Sequence, residues 1–153
     1  MKRTPENQLN YRKKLIDMLS ERLLKRFEIL KDFQKKVIET FGEDKYNIFI
    51  FGSFATEDYV EGQSDIDIAV YYEREYRKKS RFAELAAFIE TYFGELNINY
   101  DILYIDTNFV QYIYYIPLTS VLQVTDYYPD TLKAFCEKCK EVYETALKNE
   151  SKL

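Results

Sequence analysis

Apolar residues in the first quarter of the chain recur at the spacing of one helix face. Ile16, Leu19, Leu23, Phe27, Leu30, Val37 and Phe41 follow one another at intervals of three, four or seven, with Lys, Arg and Glu between them. The pattern predicts a helix over 8–41, stopped by Gly42. That length predicts a bend or two consecutive helices. Leu24, Ile29, Phe33 and Ile38 widen the apolar stripe beyond one face. A second subunit or partner would use such a surplus, although core packing is its commoner use.

The period then shifts to two. Residues 46–51 and 65–72 are rich in β-branched and aromatic side chains and predict two strands. Their connection, Gly-Ser-Phe-Ala-Thr-Glu-Asp-Tyr-Val-Glu-Gly-Gln-Ser, predicts a tight turn at Gly52-Ser53 followed by a short helix beginning at Ser53. Residues 73–81 form a charged loop in which Arg77, Lys78 and Lys79 would suit a triphosphate, with a solvated loop as the plainer reading. An amphipathic helix over 81–93 (Phe82, Leu85, Ala86, Ile89, Tyr92) ends at Gly94. A third strand covers 98–106, a short aromatic helix 109–116 is broken by Pro117, and a fourth strand covers 120–125. A last helix over 131–148, capped by Asp130, carries Leu132, Phe135, Cys136, Cys139, Val142, Tyr143, Ala146 and Leu147 on one stripe. The elements predict one domain over 1–153 of α/β (α+β) class, with a mixed sheet of four or more strands and flanking helices. The helices are expected mainly on one face and the carboxylates described below on the other.

Composition narrows the chemistry. The chain has 15 Tyr, 11 Phe, no Trp and no His. Without His, acid–base and metal work falls to carboxylates, Lys, Tyr or Cys. Cys136-x-x-Cys139 has metal-like spacing but no further Cys or His to complete a site, so both thiols are read as core. The tyrosines at 112, 114 and 115 are read as core and rim, with base stacking as the sharper alternative. The net charge of −4 is uneven: residues 1–40 hold 11 Lys/Arg against 6 Asp/Glu, and the remainder holds 11 against 20. An acidic body argues against direct nucleic-acid binding. The basic N-terminal helix would face an acidic partner or simply solvent. No signal peptide and no membrane-length apolar run is present, which predicts a cytoplasmic protein without a membrane.

The stretch from Ile48 to Val70 carries the chemistry. A glycine at the end of the first strand permits positive φ and close approach of a ligand to the backbone. Asp65 and Asp67 open the second strand and project from one face, while Ile66, Ile68 and Val70 project from the other. Two neighbouring carboxylates repel unless a proton or cation lies between them. Hard oxygen ligands suit Mg²⁺, which usually arrives with substrate phosphates. Asp101, inside the apolar run of the third strand, needs a partner or a metal to be stable there. Asp106, before Thr107 and Asn108, is a turn residue.

Gly52-Ser53, eleven residues, Asp65-Ile66-Asp67, then Asp101 in the next long strand: over roughly residues 30–126 this resembles the minimal nucleotidyltransferases of the DNA polymerase β-like superfamily. The resemblance implies that Gly52 and Ser53 hold nucleotide phosphates. It also implies that Asp65, Asp67 and Asp101 bind two Mg²⁺ and activate the attacking hydroxyl, with ATP as donor. Ser64 offers a hydroxyl behind the pair or serves the turn. One departure is plain: many minimal members read Gly-Ser-x-Ala-Arg-Gly, whereas this chain reads Gly52-Ser53-Phe54-Ala55-Thr56-Glu57. Stand-alone proteins of this kind resemble antitoxins that transfer AMP to a tyrosine of a HEPN-type toxin. The alternatives are a small-molecule transferase similar to those acting on aminoglycosides or lincosamides, and an antitoxin that acts by docking alone. A homo-oligomer is compatible with either.

Overall fold

The computed structural model describes residues 5–43, 45–74 and 81–151. Helix α1 spans Pro5–Phe41 as one element, so the alternative of two consecutive helices is not seen. Strands β1 (Tyr46–Phe51) and β2 (Ile66–Tyr72) follow, then helix α2 (Arg81–Glu95) and strand β3 (Tyr100–Tyr104). A 3₁₀ turn at Tyr112–Tyr114 leads into α3 (Tyr115–Leu118), a two-residue strand β4 (Leu122–Gln123), and α4 (Asp130–Glu150). Arg77, Lys78 and Lys79 lie outside the described residues, as do the side chains of Ile16 and Leu19.

The sheet order is β3-β2-β1-β4. β1 runs antiparallel to β2 and β4, and β2 runs parallel to β3. Alternation sends the two sets of side chains into separate cores. Ile48, Ile50, Ile66, Ile68 and Val70 pack against Phe33, Val37 and Phe41 of α1 and Leu85, Ile89 and Phe93 of α2. Phe49, Ala69, Tyr71 and Ile105 pack against Tyr114 and Leu118 and against Leu132, Phe135, Cys136 and Cys139 of α4. Helices therefore cover both faces, which corrects the expectation that they would pack mainly on one. Both cysteines are free thiols buried in the second core, as their helical spacing implied. Phe33 belongs to the core stripe of α1, whereas Leu24 is exposed.

Several local expectations are corrected. No helix forms between β1 and β2; residues 52–64 are successive turns. Pro117 does not break the aromatic helix but lies inside α3, at its third residue, where a missing N–H has no intrahelical acceptor in any case. Pro129, not Asp130, is the N-cap of α4; Asp130 is its first residue and makes no cap. β4 is far shorter than 120–125: Val124 N–H still donates to the Ile48 carbonyl (2.9 Å), but at both ends side-chain hydroxyls reach the β1 carbonyls. The Ser120 hydroxyl donates to the Ile50 carbonyl (2.5 Å) and the Thr125 hydroxyl to the Tyr46 carbonyl (2.8 Å). Buried Asn47 completes the seam: its amide donates to Gln123 Oε1 and the Tyr127 carbonyl, and its Oδ1 accepts from Ile48 and Thr125 N–H.

Candidate active site

The candidate residues meet at one end of the sheet, where β1 stops and the parallel strands β2 and β3 begin. Asp67 is opposite Phe51 of β1 on one side and opposite Asp101 of β3 on the other. Register and alternation thus set Asp67 and Asp101 side by side on one face. Leu103 and Ile105 continue that face, and Ile102 and Tyr104 pack on the other. Asp65, expected to open the strand, lies just before it, two residues ahead of Asp67. Asp65 and Asp101 are exposed, and Asp67 is half-buried.

Electrostatics agrees with the register. Burial, then the charge of Asp101, then that of Asp65 push the Asp67 carboxyl above its ordinary range. A carboxylate resisting ionisation between two others is stabilised in its charged form by a cation. Among the described residues, however, no three His, Cys, Asp or Glu side chains are grouped closely enough to hold a metal ion unaided. The structure therefore pairs Asp67 with Asp101 and leaves Asp65 at the edge of that pair. A pair of hard oxygens is what a divalent ion held partly by water and substrate would use.

Gly52 is tied to this carboxylate by shape. Its φ is +75°, in the left-handed region. A Cβ at this position would overlap Asp67 Oδ2 and lie 3.1 Å from Asp67 Cγ. Ser53 follows, and its carbonyl accepts from the N–H (2.8 Å) and the hydroxyl (2.7 Å) of Thr56, closing the turn. Ser64 does turn work at the far end of the loop: its Oγ accepts from Val60 N–H (3.0 Å), and its own N–H donates to the Val60 carbonyl (2.8 Å). Asp106 accepts from Asn108 N–H, the turn role expected of it. An open cleft of about 560 Å³ adjoins Asp65, lined also by Gly94, Asn97, Ile98, Asn99 and Tyr100.

One residue of this region had no signal in the sequence. Arg26 of α1 is buried and reaches across to the loop, donating to the carbonyls of Phe54 (2.7 Å) and Thr56 (2.8 Å). On its own helix it reads as one more base in a basic stretch. Only the packing of α1 against the loop reveals its use.

A four-stranded mixed sheet between helices, with carboxylates beside a glycine turn, defines an α/β protein with an acidic site at one end of its sheet. The family model described as a nucleotidyltransferase domain matches residues 28–149, and the chain belongs to that family. The match begins just after Arg26 and runs into α4, further than the 30–126 of the motif resemblance. The protein is accordingly a transferase of nucleotidyl groups. No curated protein matches the sequence. Among the described residues, no helix is long and apolar enough to cross a membrane.

Proposed function

We propose that this chain transfers AMP from ATP to a hydroxyl, and that the acceptor is a tyrosine of a helical HEPN-type toxin for which the chain is the antitoxin. The observation that carries the transfer is the placement of Asp67 against both Asp101 and Gly52. It unites a hard-oxygen pair with a turn whose backbone a phosphate can approach. The antitoxin role rests on the resemblance of the chain to stand-alone minimal members.

In this reading Asp65, Asp67 and Asp101 hold two Mg²⁺, and the Gly52–Ser53 turn receives the β and γ phosphates. When bound, the ions neutralise charge on the attacking and leaving oxygens of an in-line displacement. The acceptor oxygen forms a bond to the α-phosphorus, and the bond from that phosphorus to the β-bridging oxygen breaks. Pyrophosphate leaves, and the acceptor proton passes to the Asp101 carboxylate and on to solvent. The chemistry needs no histidine, and the chain has none.

The test is transfer of label from α-labelled ATP, in Mg²⁺ or Mn²⁺, to a short helical protein if one is encoded beside this chain. Native chain should label a tyrosine of that protein. Asp65→Asn and Asp67→Asn should fold and label nothing. Unlabelled partner with intact neutralisation would favour docking alone, and label on a small-molecule hydroxyl would favour the alternative transferase.

A further inference from the structure

The loop joining β1 to β2 has no basic residue and four acids, Glu57, Asp58, Glu61 and Asp65. A polyphosphate approaching Gly52-Ser53 meets no cation from the loop itself. A cation built into this loop's structure comes from α1. Arg26 is only 5% exposed. Its Nε donates to the Phe54 carbonyl at 2.7 Å and one terminal nitrogen to the Thr56 carbonyl at 2.8 Å. The other terminal nitrogen meets Glu61 Oε1 at 3.3 Å. The guanidinium also lies over the Tyr59 ring, 5.0 Å from its centroid, and Tyr59 packs edge-on against buried Phe54.

A buried guanidinium is tolerated only when its donors are satisfied. Here every partner named belongs to the loop at 54–61. Glu61 is mostly exposed, so the ion pair adds little; the two carbonyls and the stacked ring supply the hold. These bonds tie the turns of the loop, at the carbonyls of Phe54 and Thr56, to α1. Both ends of this loop carry site residues, Gly52 and Ser53 at one end and Asp65 at the other. Tyr59 is close enough to Asp65 for that charge to help push its phenol up, after burial and Glu61.

We propose that Arg26 is a positioning residue for nucleotide binding: it fixes the Gly52–Ser53 turn relative to the carboxylates by clamping the loop between them. The inference rests on the nucleotidyl-transfer reading. A lysine does not replace it, because one ammonium cannot fork to two carbonyls and stack on a ring.

The experiment compares native chain, Arg26→Ala and Arg26→Lys in two titrations below their melting temperatures, one with Mn²⁺ alone and one with a fluorescent ATP analogue in saturating Mn²⁺. Both variants should lose about tenfold or more in nucleotide affinity while Mn²⁺ affinity stays within about twofold. Nucleotide affinity unchanged in either folded variant overturns the proposal. A parallel fall in Mn²⁺ affinity also overturns it, because the effect is then general loosening. Should Arg26→Ala fail to fold, Arg26→Lys decides by the same two titrations, and failure of both to fold assigns Arg26 to stability alone. A native chain that binds Mn²⁺ but no nucleotide refutes the functional reading instead, and this inference falls with it.

Discussion

Replacing Gly52 with alanine separates two constraints that meet at one atom. The first is conformational: φ is +75°, and an L-residue in the left-handed region costs about 1–2 kcal/mol. The second is spatial, because the new methyl would occupy the place of Asp67 Oδ2. The carboxylate must then leave its rotamer, at a further cost of about 0.5–1.5 kcal/mol. Gly52→Ala should therefore destabilise the metal-free chain by about 2–3 kcal/mol, a drop of roughly 5–10 °C in Tm. In an Asp67→Ala background the overlap is gone and only the backbone strain remains, about 1–2 kcal/mol. The cycle should show a coupling of about 1 kcal/mol, larger than the scatter of independent sites. Urea unfolding of the four proteins at neutral pH, followed by circular dichroism, measures it. Equal losses from Gly52→Ala in both backgrounds would show that the carboxylate is not held against the glycine, and the geometry of the site would have to be redrawn.

Two further predictions concern the carboxylates. The Asp67 carboxyl titrates above its ordinary range in the folded chain, so in that window the folded state binds more protons than the unfolded state. Stability of the metal-free protein therefore falls as pH rises from the unfolded pKa through the higher folded one. Thermal melts from pH 4 to 7.5 should show this loss, and Asp67→Asn should reduce it and melt higher than native at pH 7; an unchanged pH profile would refute it. Asp101→Asn should keep nucleotide affinity within about threefold, because Asp65 and Asp67 remain, while transfer slows by about a hundredfold or more through loss of the proton acceptor. Equilibrium titration and single-turnover labelling separate the two, and loss of binding without a change in the rate of bound complex would refute the assignment.

The strands were legible because their residues have few alternatives. Tyr46–Phe51 is a run of β-formers around one buried Asn, and the expected bounds coincide with the observed strand. The face of Asp101 was also legible: once Leu103 and Ile105 are inward-facing, period two fixes the carboxylate beside them. Periodicity does not report what covers a sheet. The α4 stripe matched its burial at Leu132, Phe135, Cys136 and Cys139, yet nothing in its spacing named the face on which it packs. The fourth strand failed for a different reason. Ser120 and Thr125 are strand-compatible residues, but here their hydroxyls satisfy the Ile50 and Tyr46 carbonyls directly, so regular strand pairing is limited to the residues between them.

Loop conformation was the least legible part, and the physical reason bears on function. A chain reading Gly-Ser-Phe-Ala-Thr-Glu after a strand has local preferences compatible with a helix starting at Ser53. Those preferences are worth only tenths of a kcal/mol per residue. A buried guanidinium 28 residues away takes the Phe54 carbonyl in a charge-assisted bond, and leaving it unmade strands a buried cation. The cation that the Gly-Ser loop lacks in its own sequence thus enters from a preceding helix, where sequence distance conceals it. A departure from a family's local motif has to be weighed against the whole fold: here α1 supplies the loop with a buried arginine bound at the Phe54 and Thr56 carbonyls.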